Sequence, residues 1–352
     1  MPDLSTPRRT ALSAAQVGAA TVPLLQVRDL RVSFGALRAV DGVSFDLAAG
    51  EVLGVVGESG SGKSVMLLSM LGLLGHTAAR VEGSVRFKGR ELVGLAPREL
   101  QAVRGREIAM VFQDPMTALT PVFTIGAQIV EQLRTHLPLS RAAAKARAIE
   151  LLAAVGLASP ATQFQRYPHE LSGGMRQRAV IAMALSCNPA VLVADEPTTA
   201  LDVTVQAQIL ELIHRLRSDF GSAVVLITHD MGVVAGLADR VMVMYAGRVV
   251  ERGTARALFS DAWHPYTWGL LGSIAPLHGP RPARLPSIAG TPPALDALPP
   301  GCAFAPRCAV ASARCGTRPA LPGEGAQAAA CVLAPGERPA ARERCAQPGA
   351  AR

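Results

Sequence analysis

Eight consecutive residues, Gly57-Glu58-Ser59-Gly60-Ser61-Gly62-Lys63-Ser64, carry the spacing G-x-x-x-x-G-K-S. Glycines at such positions let backbone amides curl around phosphate oxygens, and a helix that starts at the end of the loop adds its positive end. The context fits: the apolar run Glu51–Val56 precedes the loop as an expected strand, and Val65-Met66-Leu67-Leu68 follows it as an expected helix. Lys63 then reaches the β- and γ-phosphates of a nucleoside triphosphate, and the Ser64 hydroxyl ligates Mg²⁺.

A second apolar run, Val191-Leu192-Val193-Ala194, ends in the carboxylates Asp195 and Glu196. A strand end places them near a neighbouring phosphate loop. Successive side chains leave an extended backbone in different directions, so the two acids take different tasks. Asp195 suits the surroundings of Mg²⁺, and Glu196 suits polarisation of an attacking water.

The elements that must position these groups follow from pattern. Short runs such as Ala223–Ile227 and Val241–Met244 are nearly all apolar, as expected of strands in a parallel sheet covered on both faces. The Ala-, Leu- and charge-rich stretch Arg141–Val155 reads as a helix with Gly156 as its C-terminal cap. The fold class is therefore α/β. No internal repeat is visible. With 352 residues, 49% hydrophobic and 18% charged, global disorder is excluded. No run of 18 apolar residues exists, which excludes a membrane-spanning helix. The first residues lack the compact apolar core of a signal peptide, so a cytoplasmic location is expected.

The net charge of +8 is uneven. From Arg281 onward there are nine arginines against four acids, together with 12 of the 26 prolines and five of the six cysteines. Long helices are not expected there. A small unit that needs a cross-link or a metal is. The division expected is a flexible tail over residues 1–20, a core domain over 21–275 and an extension over 276–352. Cys302, Cys308 and Cys315 have spacing C-x5-C-x6-C, with Cys331 and Cys345 beyond, while Cys187 stands apart as an expected buried thiol. Clustered cysteines in a cytosolic chain point to metal, and their spacing alone does not choose between zinc, an iron–sulfur cluster and free thiols.

Leu171-Ser172-Gly173-Gly174-Met175-Arg176-Gln177-Arg178 lies upstream of Asp195. This second glycine-rich element resembles the signature motif of ABC-type ATPases. Gln113 resembles the Q-loop glutamine of that family, Thr199-Ala200-Leu201-Asp202 its D-loop, and His229 its switch histidine. Phe34 resembles the aromatic residue that stacks on adenine, keeping the ring but not the hydroxyl of the tyrosine often found there. The resemblance implies a P-loop NTPase fold of ABC type with a helical subdomain at approximately 114–185 and a small Pro/Cys-rich C-terminal extension. It implies ATP and Mg²⁺ as cofactors. Binding would involve Phe34, Gly57 through Val65, Gln113, Asp195, Ser172, Gly173, Gly174 and Asp202. Catalysis would involve Lys63, Gln113, Glu196 and His229, with Ser64, Gln113 and Asp195 around the metal. The signature element would face the phosphate loop of an opposite subunit, so a nucleotide-sandwich dimer is implied.

Three further stretches narrow the resemblance: Asp114–Gly126, His264-Pro265-Tyr266-Thr267, and Gly290-Thr291-Pro292-Pro293 followed by Leu298–Cys308. Together they resemble the ATPase subunits of bacterial oligopeptide and dipeptide importers, a group shared with nickel and glutathione importers. That group implies two transmembrane permease subunits, a second ATPase subunit and, indirectly, an extracytoplasmic solute-binding protein. The chain would sit peripherally on the cytoplasmic face of the bacterial inner membrane. It also implies a [4Fe–4S] cluster on Cys302, Cys308, Cys315 and Cys331, structural in role, with Cys345 spare. A soluble ABC protein acting on ribosomes or nucleic acid is the competing class. It usually carries two cassettes or a long coiled-coil insertion, and one phosphate loop and one signature are present, so no nucleic-acid partner is expected.

Overall fold

The computed structural model describes residues 23–75, 77–198, 202–274, 287–323 and 325–346. The expected tail over 1–20, most of the expected boundary region near Pro276, and Thr199-Ala200-Leu201 lie outside the described residues.

Two sheets organise the chain. The smaller is antiparallel, in the order β2 (Leu37–Leu47), β1 (Leu25–Phe34), β4 (Ala79–Phe87), β5 (Arg90–Glu91). The larger has the order β11 (Ala328–Ala329), β10 (Arg248–Thr254), β9 (Arg240–Tyr245), β3 (Val52–Val56), β8 (Ala223–Ile227), β7 (Val191–Asp195), β6 (Ile108–Val111). From β9 to β6 neighbouring strands are parallel, while β10 and β11 add on antiparallel. The expected strands are present with ends shifted by a residue or two.

Burial on both faces explains why these strands are apolar throughout. Along β7, Val191 and Val193 enter one core while Leu192 and Ala194 enter another. The first core joins Val27, Val43 and Val85 of the small sheet to Met66 and Leu67 of helix α1 (Lys63–Met70). Helix α2 (Pro97–Val103) contributes Leu100 and Val103 to the same core. The second core packs under the helices inserted between β6 and β7: α3 (Pro115–Ala118), α4 (Ile125–His136), α5 (Arg141–Ala154), α6 (Pro160–Phe164) and α7 (Gly173–Leu185). It also takes Ile209 and Leu212 of α8 (Val203–Phe220). Ser140 caps α5 by accepting from the Ala143 amide, and Gly156 follows its end at φ +77°.

The extension is less independent than its composition suggests. Its strand β11 pairs with β10, Glu251 opposite Ala329 and Arg252 opposite Ala328. Phe304 packs with Tyr245 and Tyr266 in a third core shared with α9 (Met231–Leu237), α10 (Ala255–Ser260) and α11 (Pro265–Gly272). Helix α12 (Arg338–Ala346) inserts Ala341 against Trp268 and Leu333. The expectation that the extension has little core is corrected here: it shares core with the main sheet and its helices.

The helical layer contains one tight contact with a consequence for stability. A Cβ on Gly126, in the first turn of α4, would lie 2.3 Å from the Phe164 ring. Gly126→Ala is therefore expected to destabilise the protein by about 1–3 kcal/mol through overpacking. A urea midpoint equal to that of the wild type would show that the Phe164 ring can move aside.

Candidate functional site

The phosphate loop leaves β3 and enters α1. Gly57, at φ +154°, lies so close to β9 that a Cβ there would sit 2.2 Å from the Met244 carbonyl oxygen. Gly62, at φ +96°, faces the Ala39 carbonyl oxygen, which a Cβ would approach to 2.5 Å. Glycine is thus required at both ends of the loop by close backbone approach as well as by conformation. Lys63 is buried, and its ammonium donates to the carbonyls of Gly57 (2.8 Å) and Glu58 (2.9 Å) and to Ser61 Oγ (3.3 Å). These bonds curl the loop around its own lysine. Burial lowers the Lys63 pKa, opposed by the nearby charges of Glu196, Asp195 and Glu58.

The carboxylates stand at the end of β7. Asp195 is buried, and its Oδ1 has no hydrogen-bond partner. Burial raises its pKa, while the Ser64 hydroxyl pulls the other way. An orphaned carboxylate oxygen next to a serine hydroxyl is a hard-oxygen donor set of the kind Mg²⁺ prefers, so these residues fit the implied metal. Glu196 adopts φ +46°, a left-handed conformation uncommon for a non-glycine residue, and its amide donates to the Ile227 carbonyl at 3.0 Å. Its side chain meets two partners at one oxygen. Gln113 Nε2 donates to Glu196 Oε2 at 3.2 Å, and His229 Nδ1 lies 3.5 Å from the same atom. Glu196 is 17% exposed and His229 64%, so the imidazole lies at the mouth of the site and the carboxylate inside it.

Other expected residues lie apart from this group. Ser172 caps α7, its hydroxyl accepting from the Met175 amide, and Ser172 and Gly173 are exposed. A Cβ on Gly174 would come 2.7 Å from Val205 Cγ1, so this glycine lets α7 approach α8. Asp202 caps α8 by accepting from the Val205 amide. Phe34 ends β1, partly buried against the first core. Between Gln113 and α4 the surface is unusually apolar: Val122 is 71% exposed and Phe123 54%, with Met116 nearby in sequence and also exposed. Arg176 of α7 contacts the Met116 sulfur, tying this segment to the helix that begins at the signature.

Cys302, Cys308, Cys315 and Cys331 all line one small cavity, and all four are free thiols. Burial pushes the Cys308 thiol up to about 12 and raises Cys302 and Cys331 as well. The donor set is soft and suits a thiolate-bound metal. As placed, no three His, Cys, Asp or Glu side chains among the described residues converge on a single ion. Cys187 is buried beside the Ser186 hydroxyl, as expected.

Sequence reading did not place two residues that hold the loop, nor the histidine that caps the helix of one of them. Tyr266 accepts a hydrogen bond from the Glu58 amide at 2.8 Å, and Arg307 pairs with the Glu58 carboxylate. His264 caps α11 through Nδ1, wholly buried and neutral, its pKa pushed down to about 4 by burial. The His-Pro-Tyr run and the cysteine-flanked arginine were visible as motifs, but nothing local announced their target.

The Asp195 geometry carries a prediction. Asp195→Asn keeps the shape and removes a charge from the hard-oxygen set, so the Mg²⁺ concentration that half-saturates nucleotide binding should rise about tenfold or more. Fluorescent-nucleotide titration against Mg²⁺ measures this, and an unchanged midpoint would remove Asp195 from the metal's surroundings.

Comparison with known proteins agrees with this geometry. Residues 40–199 match the ABC transporter family, and residues 250–315 match the oligopeptide/dipeptide transporter C-terminal region. The chain is 53% identical over 299 residues to a putative peptide import ATP-binding protein of Brucella melitensis, covering 84% of this chain and 90% of that one. It is 52% identical to the oligopeptide transport ATP-binding protein OppD of Bacillus subtilis, covering 81% of each chain. It is 50% identical to OppD of Salmonella typhimurium, covering 85% and 90%. Among solved structures, an ATP-binding cassette dimer in a post-hydrolysis state bound to ADP and Pi superposes with a TM-score of 0.59 at 29% identity, covering 66% of this chain and 99% of that one. Curated relatives at this identity and coverage, together with the two matched regions and the phosphate-loop geometry, show that the chain belongs to the ABC transporter ATP-binding family, in the branch that carries the oligopeptide/dipeptide transporter C-terminal region.

Proposed function

We propose that the protein hydrolyses ATP to energise import of oligopeptides or dipeptides through a membrane permease. The observation that carries this reading is the convergence of Gln113 and His229 on one oxygen of Glu196, beside a complete phosphate loop, in a chain with the peptide-transporter C-terminal region. In this reading the loop amides and Lys63 bind the β- and γ-phosphates. Lys63 exchanges its loop carbonyls for phosphate oxygens, which costs little because its donors stay satisfied. Phe34 stacks on the adenine. Ser64, Asp195 and Gln113 hold Mg²⁺, which when bound neutralises charge on the phosphates. Glu196 polarises the attacking water, and His229 orients it and contacts the γ-phosphate. Water attacks in line, the bond to the bridging oxygen breaks, and ADP and phosphate remain.

The site is completed by a second subunit. Exposed Ser172 and Gly173, with half-buried Gly174, fit a role in gripping the nucleotide of the opposite chain, and Asp202 stands at the start of α8, the helix that Gly174 lets α7 approach. The apolar surface at Met116, Val122 and Phe123 fits the docking of a permease. It directly follows Gln113 and is tied to α7 by Arg176, so movement at the permease reaches the nucleotide through two routes. No helix among the described residues is long and apolar enough to cross a membrane, and peripheral attachment at the cytoplasmic face is the corresponding location. The cassette spans residues 21–275 and the extension 276–352.

Within the extension, Cys302, Cys308, Cys315 and Cys331 are the proposed ligands of a [4Fe–4S] cluster. What supports a thiolate-bound metal is that the four cysteines line one cavity and offer a soft donor set. Chain purified without oxygen should contain iron and acid-labile sulfide and lose both in Cys331→Ser; metal-free wild type would end this part of the reading.

The principal test is ATP hydrolysis by the chain assembled with its permeases in lipid. Peptide-loaded binding protein should stimulate the rate, and Glu196→Gln should lower it about a hundredfold or more. A rate indifferent to peptides but stimulated by nickel would reassign the substrate.

A further inference from the structure

The second residue of the phosphate loop is held from three sides. The Glu58 carbonyl accepts from Lys63 Nζ at 2.9 Å, and its amide donates to Tyr266 Oη at 2.8 Å. Its carboxylate takes both arms of Arg307: Nη1 to Oε2 at 2.6 Å and Nη2 to Oε1 at 2.9 Å. Only the lysine belongs to the loop. Tyr266 comes from α11, and Arg307 from the extension, 249 residues further along the chain.

Arg307 is itself fixed. Its side chain is 5% exposed. Nε donates to the Ala289 carbonyl at 2.8 Å, Nη2 also reaches the Gly290 carbonyl at 3.2 Å, and Nη1 lies 3.3 Å from Tyr245 Oη. The guanidinium is thus pre-oriented, and the fork geometry fits the carboxylate as a lysine would not. The pairing does two things at once. It pins the loop at the residue after Gly57, and it occupies a carboxylate that would otherwise stand free within the field of an incoming polyphosphate.

We propose that Arg307 is a positioning residue for nucleotide binding, acting through Glu58: it neutralises and immobilises the one acidic side chain of the phosphate loop. The inference rests on the reading of Gly57–Ser64 as the ATP site. It assigns a task in that site to the extension.

The electrostatic component makes the proposal separable from a purely structural role. In the full chain, Arg307→Ala should raise the Kd for MgATP, and the KM of the assembled transporter, about tenfold or more, with a smaller effect on kcat. Adding Glu58→Gln to Arg307→Ala should recover most of the affinity, because the unpaired charge is then gone. Arg314→Ala removes the exposed pair with Glu337 in the same extension, and should leave Kd unchanged. If Arg307→Ala does not fold, Arg307→Lys, which keeps the charge and loses the fork, should show a smaller rise in the same direction. Wild-type affinity in Arg307→Ala, or no recovery in the double variant, would overturn the proposal while leaving the ATPase reading intact. A wild-type chain that binds no MgATP would overturn both.

Discussion

Val55 of β3 lies beside Ile227 of β8, and Ile227 beside Asp195 of β7. Three parallel strands therefore run out at one level, and whatever follows each of them meets at that edge. The phosphate loop follows β3, Glu196 follows β7, and His229 follows β8. Gln113 follows β6, which is registered to β7 through Val111 and Ala194. A slip of one residue in any pairing would turn alternate side chains to the opposite core and move the acidic pair out of reach of the loop. The strands resist such a slip because both of their faces are buried: residues of β7 and β8 alternate between two cores, and Val56 of β3 enters a third.

Two of the groups gathered at the edge are buried charges. Lys63 and Asp195 sit where their ionised forms are costly, and each is shifted toward neutrality by burial. Their mutual attraction and the bonds from Lys63 to the loop offset that cost. The arrangement leaves hydrogen-bonding capacity, such as Asp195 Oδ1, unspent in the folded chain. Groups held this way are pre-organised for an anion and a cation arriving together, and the left-handed turn at Glu196 belongs to the same pattern of local strain at a working site.

The loop, the acidic pair and the parallel strands were legible because each is written in neighbouring residues: a glycine spacing, a run of apolar side chains, a strand end. Gln113 and His229 needed the family resemblance, since a lone glutamine or histidine carries no local signal. Glu58 was read as one more loop residue. Its partners lie 208 and 249 positions away, and no periodicity connects them. The cysteines were legible as a set but not as a geometry, because spacing in a proline-rich segment does not determine how the chain folds back. Composition misled on the extension, where a scarcity of helix and a surplus of proline suggested little core. Phe304, Leu333 and Ala341 supply some, and the rest belongs to the cassette.

Strand β11 completes the large sheet at β10, yet Ala329 is made well after its partner Glu251. On a ribosome adding about 5–20 residues per second, the intervening stretch occupies on the order of 4–15 s. During that interval Glu251 and Arg252 lack the strand that covers them in the finished sheet, and an uncovered sheet margin is the kind of surface on which chains join one another. Arg252, which in the finished protein donates to the carbonyls of Pro322 and Gly323, places a positive charge on that strand during the wait. The late arrival of a two-residue strand thus leaves Glu251 and Arg252 without their partner strand until Ala328 and Ala329 have been made.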